Sequence, residues 1–247
     1  MPTYGAAVAF SLTVLGCDGS YPGPGGASSG YLLRGGGATV WLDCGSGTLA
    51  ALQTHVGLDA VDAVVVSHEH PDHRSDVEGF AVACTYIVPR AGIPVFAPAG
   101  VHAHGYHTGP PALDLTELTD GSTFLVGAMA FTASRTDHGP ETLAVRVEAE
   151  GRSLGYTADT GPGWSPARLG PPLDLLLSEA TYTSDHEGES QHLSGRQAGR
   201  LAREAGARRL LLTHRWPTTD PAVLRAEAEE AYGGPVELAE AGVTYVV

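Results

Sequence analysis

A chain of 247 residues, 43% of them hydrophobic, has the material for a substantial core and is too apolar to be an intrinsically disordered segment. Twenty-eight acidic residues against fourteen basic ones, a formal net charge of −14, argue against a long RNA- or DNA-binding groove. Such grooves draw most of their non-specific affinity from lysine and arginine contacts to phosphate.

Along the chain, residues 1–7 read as a loose tail and Val8 to Leu15 as a first strand. A glycine-rich loop follows from Gly16 to Gly30. Tyr31–Arg34 and Ala38–Asp43 then form a hairpin joined by three glycines. A short helical pattern at 47–55 precedes a buried strand at 63–66, and a helix is predicted over 76–86 before a strand at 94–97. Residues 98–120 are loop-rich, with a weak helix at most. Further strands are expected at 123–134, 142–149, 152–157 and 173–177, and a polar loop at 181–191. A helix starts at Ser194, where Ser194 and Gln197 fit a capping box and Gly206 provides the stop. Leu210–Thr213 is a strand ending at His214, Asp220 and Pro221 open a last helix, and short strands near 235–239 and 243–247 close the chain. Strand-rich halves, each followed by helices, predict an α/β fold of two sheets between helix layers, with 1–247 as a single domain.

Three scattered cysteines, Cys17, Cys44 and Cys84, imply no disulfide framework and suit reduced thiols in a cytoplasmic protein. Val14-Leu15-Gly16-Cys17 looks like a lipoprotein box, but no basic residue precedes it as a secretory signal requires. No run is long and apolar enough to span a membrane.

The strongest chemical signal is His68-x-His70-x-Asp72-His73, directly after the buried strand. Imidazole suits borderline divalent ions and carboxylate suits harder ones, so a His/Asp cluster without thiolate reads as hydrolytic rather than structural. Four potential ligands within six residues cannot all reach one tetrahedral ion. Two ions solve this, with His68 and His70 on one, Asp72 and His73 on the other. His102, His104 and His107 form a second histidine string, but it lies in the least regular part of the chain with no carboxylate at metal spacing. It reads as a solvated or substrate-facing loop. The glycine-rich loop after the first strand lacks the Gly-Lys-Ser/Thr ending of a P-loop.

From about residue 8 onward the sequence resembles the metallo-β-lactamase superfamily, whose fold is a four-layer αββα sandwich. The resemblance implies that His138, in Thr136-Asp137-His138-Gly139, is the third histidine of the first ion. It likewise makes Asp159 the carboxylate bridging both ions and His214 the last ligand of the second. Glu179 in Ser178-Glu179-Ala180-Thr181 and His192 in His192-Leu193-Ser194 resemble motifs of ribonuclease Z and its phosphodiesterase relatives. There the histidine, oriented by the glutamate, gives a proton to the leaving oxygen. Asp43 matches an aspartate that supports the site from outside.

The expected cofactors are thus two divalent ions, zinc first and manganese or iron as alternatives. Two such ions can share a water, lower its pKa towards about 7 and clamp both oxygens of a displacement. Asp72, Glu179 and His192 are the expected catalytic residues beside the ligands. Leu15-Gly16-Cys17-Asp18-Gly19-Ser20 and His192-Leu193-Ser194-Gly195 look like the actinobacterial cyclic-nucleotide-phosphodiesterase-like branch. That likeness implies hydrolysis of a 3′,5′-cyclic nucleotide such as cyclic AMP by a bridging hydroxide. Bacterial ribonuclease Z usually carries a long basic arm between the third histidine and the bridging aspartate, and here only twenty residues separate His138 from Asp159. An RNA endonuclease and a lactone or thioester hydrolase are the alternatives. The expected partner is a small anionic phosphodiester, with Arg135 or Arg215 as a candidate phosphate contact. A homodimer is compatible with this reading.

Overall fold

The structure, a computed structural model, describes residues 9–103 and 112–247. The expected N-terminal tail and His104 and His107 lie outside the described residues. Two seven-stranded sheets dominate. The first contains β1 (Ser11–Gly16), β2 (Gly30–Gly35), β3 (Ala38–Cys44), β4 (Ala63–Val65), β5 (Ile93–Ala97) and β6 (Leu113–Glu117), and it ends with β14 (Thr244–Val246) at its other edge, in the order β14-β1-β2-β3-β4-β5-β6. The second runs β13-β12-β11-β10-β9-β8-β7, from β7 (Thr123–Val126), β8 (Met129–Arg135), β9 (Leu143–Ala149), β10 (Arg152–Tyr156), β11 (Leu175–Glu179), β12 (Leu210–Thr213) and β13 (Glu237–Leu238). Helices α1 (Thr48–Leu52), α2 (Pro71–Arg74), α3 (Asp76–Tyr86) and α4 (Ala99–Ala103) follow strands of the first sheet; α5 (Gly195–Glu204) and α6 (Pro221–Tyr232) follow strands of the second.

The three largest of its hydrophobic clusters, one between the sheets and one under each helix layer, make this an αββα sandwich. In β3, Val40 and Leu42 face the core between the sheets while Trp41 faces α3, packing edge-on against Phe80. β11 does the same, sending Leu175 and Leu177 inward and Leu176 toward α5 and α6. Strands buried on both faces need apolar residues at every position, which is why 63–66 and 210–212 read as unbroken apolar runs. Phe96 of β5, Phe124 of β7 and Phe131 of β8 stack across the two sheets at centroid spacings of 4.0 and 4.7 Å. In the helix layer, a Cβ on Gly199 would lie 2.4 Å from the Ala228 carbonyl oxygen, so the close approach of α5 to α6 requires glycine there.

Several expectations are corrected. Residues 98–120 hold α4 and the edge strand β6, which pairs parallel with β5 and is mostly exposed; a strand with so little burial leaves a weak hydrophobic signal. The stretch 123–134 is a hairpin turning at Gly127, not one strand. The strand expected at 173–177 runs from Leu175 to Glu179, so it carries Glu179 itself. The two closing strands lie where they are expected, as β13 and β14, and β14 crosses back to pair with β1. Among the described residues no helix is long and apolar enough to cross a membrane.

Candidate metal centre

In each sheet one half is antiparallel and the other parallel. The carboxyl ends of the strands around the parallel halves gather the chemistry, as is general for open α/β sheets. Asp43 lies at the end of β3, the His68–His73 loop after β4, Asp159 after β10, Glu179 at the end of β11 and His214 after β12. Three residues there hold a left-handed backbone without being glycine: Asp43 (φ 54), Ala158 beside Asp159 (φ 49), and His214 (φ 55). This conformation costs roughly 1–3 kcal/mol per residue and bends the chain sharply where each strand ends.

The inner atoms form two groups around one carboxylate. His68 Nε2 lies 3.0 Å from His70 Nδ1, and His138 Nε2 lies 3.3 Å from the same His70 atom. His214 Nε2 and His73 Nε2 lie 3.1 and 3.5 Å from Asp72 Oδ2. Asp159 stands between them. Its Oδ2 is 3.5 Å from His68 Nε2 and 3.8 Å from His138 Nε2, and its Oδ1 is 3.2 Å from His73 Nε2 and 3.4 Å from His214 Nε2. Each oxygen therefore faces one group.

The fit to metal is visible in two buried atoms, His73 Nε2 and Asp159 Oδ1, which have no hydrogen-bond partner among the described residues despite their proximity. Buried polar atoms are rarely left unsatisfied, and nitrogen and oxygen lone pairs converging on common points are what divalent cations require. His68, His70, His138 and Asp159 form one set able to hold an ion, and Asp72, His73 and His214 form another.

The outward ring nitrogens are tied back, and their partners decide the tautomers. His73 Nδ1 donates to Asp43 Oδ2 at 2.7 Å, and His138 Nδ1 donates to the Gln191 carbonyl at 3.0 Å. The Ser67 hydroxyl donates to Asp43, so His68 Nδ1 must be the donor to Ser67 Oγ at 3.0 Å. By the same logic the Thr181 hydroxyl donates to Glu179 Oε2, and His214 Nδ1 donates to Thr181 Oγ1 at 3.0 Å. In their neutral forms these four histidines turn inner lone pairs toward the cluster. Burial works against charge on His73, but Asp159, Asp72 and Asp43 outweigh it and hold that ring well above the usual imidazole range, so an ion would displace its proton. His192 Nδ1 lies 2.9 Å from Glu179 Oε1, and its ring centroid is 5.1 Å from that of His138 and 5.3 Å from that of His214.

Residues 38–215 match the family described as the beta-lactamase superfamily domain. The chain belongs to that superfamily. An uncharacterized protein of Mycobacterium tuberculosis is 33% identical over 99% of this chain and 94% of its own length. The probable metallo-hydrolase YhfI of Bacillus subtilis is 32% identical over 95% of this chain and 98% of its own. The crystal structure of YhfI, titled a metallo-beta-lactamase fold protein, superposes with a TM-score of 0.88 at 28% identity, covering 96% of this chain and 99% of that one. Ribonuclease Z of Myxococcus xanthus is 26% identical over 94% of this chain and 96% of its own. The chain is therefore a metal-dependent hydrolase of the metallo-β-lactamase fold, with His/Asp clusters able to bind metal.

Electrostatics in the hydrolase suit that role. Burial, reinforced by the neighbouring His73, holds His68 well below the usual imidazole range, and burial and His138 lower His70. Both rings are thus held neutral, the form in which imidazole can bind a metal. Burial would raise the carboxylates, but His73 and His214 draw Asp72 down, and His214, His73 and His68 draw Asp159 well down. Burial disfavours charge on His192 as well; the Glu179 carboxylate outweighs it and lifts the ring to about 9.

All seven expected ligands, together with Glu179 and His192, are brought together. His102 is not; it lies on α4, half-buried. Arg135 pairs with Glu141 at 3.6 Å, and Arg215 turns its Nη2 toward Cys17 Sγ at 3.9 Å, so neither guanidinium is engaged with the cluster. The glycine-rich loop borders the site: Ser20 N–H donates to Asp72 Oδ2, and a Cβ on Gly19 would meet the His214 carbonyl oxygen at 2.4 Å. Sequence reasoning missed Tyr156, whose hydroxyl donates to Asp43 Oδ2 at 2.7 Å, and the relay residues Ser67 and Thr181. Each sits within or beside a segment that carries a site residue, and that adjacency was the available signal.

Proposed function

We propose that this hydrolase is a phosphodiesterase that opens a 3′,5′-cyclic nucleotide, cyclic AMP foremost, to the 5′-monophosphate. His68, His70 and His138 would hold one divalent cation, and Asp72, His73 and His214 the other, with Asp159 shared; zinc is the first candidate, manganese or iron the others. When bound, such a pair supplies an activated water and takes up charge on the phosphate oxygens.

The chain's own residues do the rest. His192, fixed through Nδ1 by Glu179, keeps Nε2 uncommitted beside the cluster, and from there it gives a proton to the departing ribose oxygen. Glu179 orients that ring and favours its protonated form. Asp43 sets the rings of His73 and, through Ser67, His68. The observation that carries the reading is this Glu179–His192 pair next to two groups of metal-binding atoms, because a poor alkoxide leaving group needs a placed acid.

Ribonuclease Z is the second reading, favoured by the 26% identity to proteins of that name. Against it, the interval from His138 to Asp159 is filled by the β9–β10 hairpin, which turns at Glu150-Gly151 and leaves no arm to hold tRNA. The net charge of −14 points the same way. A lactone or thioester hydrolase has less use for His192. The test compares kcat/KM of metal-loaded protein for cyclic AMP, a pre-tRNA with a 3′ trailer, and a lactone at one salt concentration. Cyclic AMP should win. A pre-tRNA preferred tenfold installs the ribonuclease reading, and reaction with the lactone alone removes both phosphodiester readings.

A further inference from the structure

A cavity of about 510 Å³ opens where the 181–192 loop meets the segment after His214, with Trp216, His186, Asp185, Asp220 and Glu227 among its walls. A chain of hydrogen bonds links it to the metal centre. The indole Nε1–H of Trp216 donates to Ser20 Oγ at 3.0 Å, and the backbone N–H of the same Ser20 donates to Asp72 Oδ2. The indole is held in place from three sides. Its backbone N–H bonds to the Thr181 carbonyl, the Tyr182 ring packs 5.6 Å away, and the His186 ring lies 6.3 Å away. Tyr182 is itself anchored, donating to the His192 carbonyl at 3.0 Å. Trp41 and Trp164 are buried core residues, whereas Trp216 is half-buried at this opening.

We infer that Trp216 is the platform on which the substrate's nucleobase stacks, with the cavity as the base site. The charge distribution sets the polarity of binding. Three carboxylates and, among the described residues, no arginine line the cavity, so it repels phosphate. Glu227 is taken up by Ser184, and the second oxygens of Asp185 and Asp220 are the acceptors offered to base amino groups. Phosphate is directed to the metal-binding groups, base to the indole. Every base has a π-face, so a rigid aromatic wall serves this purpose without a dedicated hydrogen-bond code. The inference rests on the phosphodiesterase reading above.

The test uses the metal-loaded full chain. Wild type and Trp216→Ala are compared on cyclic AMP and on base-free ribose 3′,5′-cyclic phosphate. The substitution should lower kcat/KM for cyclic AMP at least tenfold more than for the base-free compound, chiefly through KM. Trp216→Leu, which keeps bulk without the aromatic face, should show the same bias and serves if the alanine protein is unstable. Equal losses on the two substrates overturn the inference while leaving the phosphodiesterase reading intact. A second readout needs no turnover: 5′-AMP should quench the fluorescence of the half-buried Trp216, and ribose 5-phosphate should not. If neither cyclic compound is hydrolysed, the cyclic-nucleotide reading has failed. The quench then decides alone, and no quench by 5′-AMP overturns the base site.

Discussion

Glu179 accepts from four donors: the Thr160 and Leu193 backbone N–H groups, the Thr181 hydroxyl and His192 Nδ1. Through Thr181 it also sets His214, so one buried carboxylate orients an expected proton donor and an expected ligand together. Asp43 plays the matching part for His73 and His68. This predicts a split between neighbours that touch each other. His192→Ala should retain both metal ions by elemental analysis yet lose about 10²–10⁴ in rate on cyclic AMP. It should lose less on bis-p-nitrophenyl phosphate, whose leaving group needs little protonation. Glu179→Ala should lose metal affinity by about 10–100-fold as well, because outer partners of ligating histidines contribute on that scale. His192 also lies within reach of Asp159 and His214 as a third group able to hold a metal. Loss of an ion from His192→Ala protein would therefore make it a ligand and remove the general-acid role.

At the level of elements, the sandwich separates the burden of stability from that of chemistry. The site hangs from strand ends and the turns after them, while the α5–α6 layer packs behind the second sheet. Gly199→Ala would force a Cβ to within 2.4 Å of the Ala228 carbonyl oxygen. Overpacking of this kind costs about 1–3 kcal/mol, visible as a lower urea midpoint. Activity per folded molecule on bis-p-nitrophenyl phosphate, which has no base to seat, should stay near that of the wild type, since α5 and α6 supply no member of the cluster. A matching fall in kcat at full folding would show that the helix layer tunes the site.

For the whole molecule, the metal-binding groups are a buried concentration of polar atoms that the fold must tolerate. Ions that bind only the native state stabilise it by about 4 kcal/mol at a thousand times Kd, which corresponds to a Tm rise on the order of 10 °C for a chain of this size. Removing metal with a chelator should lower Tm by that order and abolish hydrolysis, and adding back two equivalents of zinc should restore both. A protein whose Tm and activity ignore the chelator would contradict the metal assignment, and full recovery with one equivalent would contradict the two-ion assignment.

Much of this was legible from the chain alone, because its signals are local. Ligand spacing in His68–His73, the apolar runs of doubly buried strands, and the Ser194 and Asp220 helix starts each depend on a few adjacent residues. Resemblance supplied the order of the distant ligands. What spacing cannot encode is which atom faces which. That Asp159 turns one oxygen to each group was decided by packing across two sheets, as was the sharing of Glu179 between His192 and His214. The edge strand β6, with its weak pattern, and the return of β14 to the first sheet were likewise settled by long-range pairing. Trp216 shows the limit most plainly. Next to Arg215 and Pro217 it carries no pattern, and only the folded chain sets its indole between Ser20, Tyr182 and an acidic cavity.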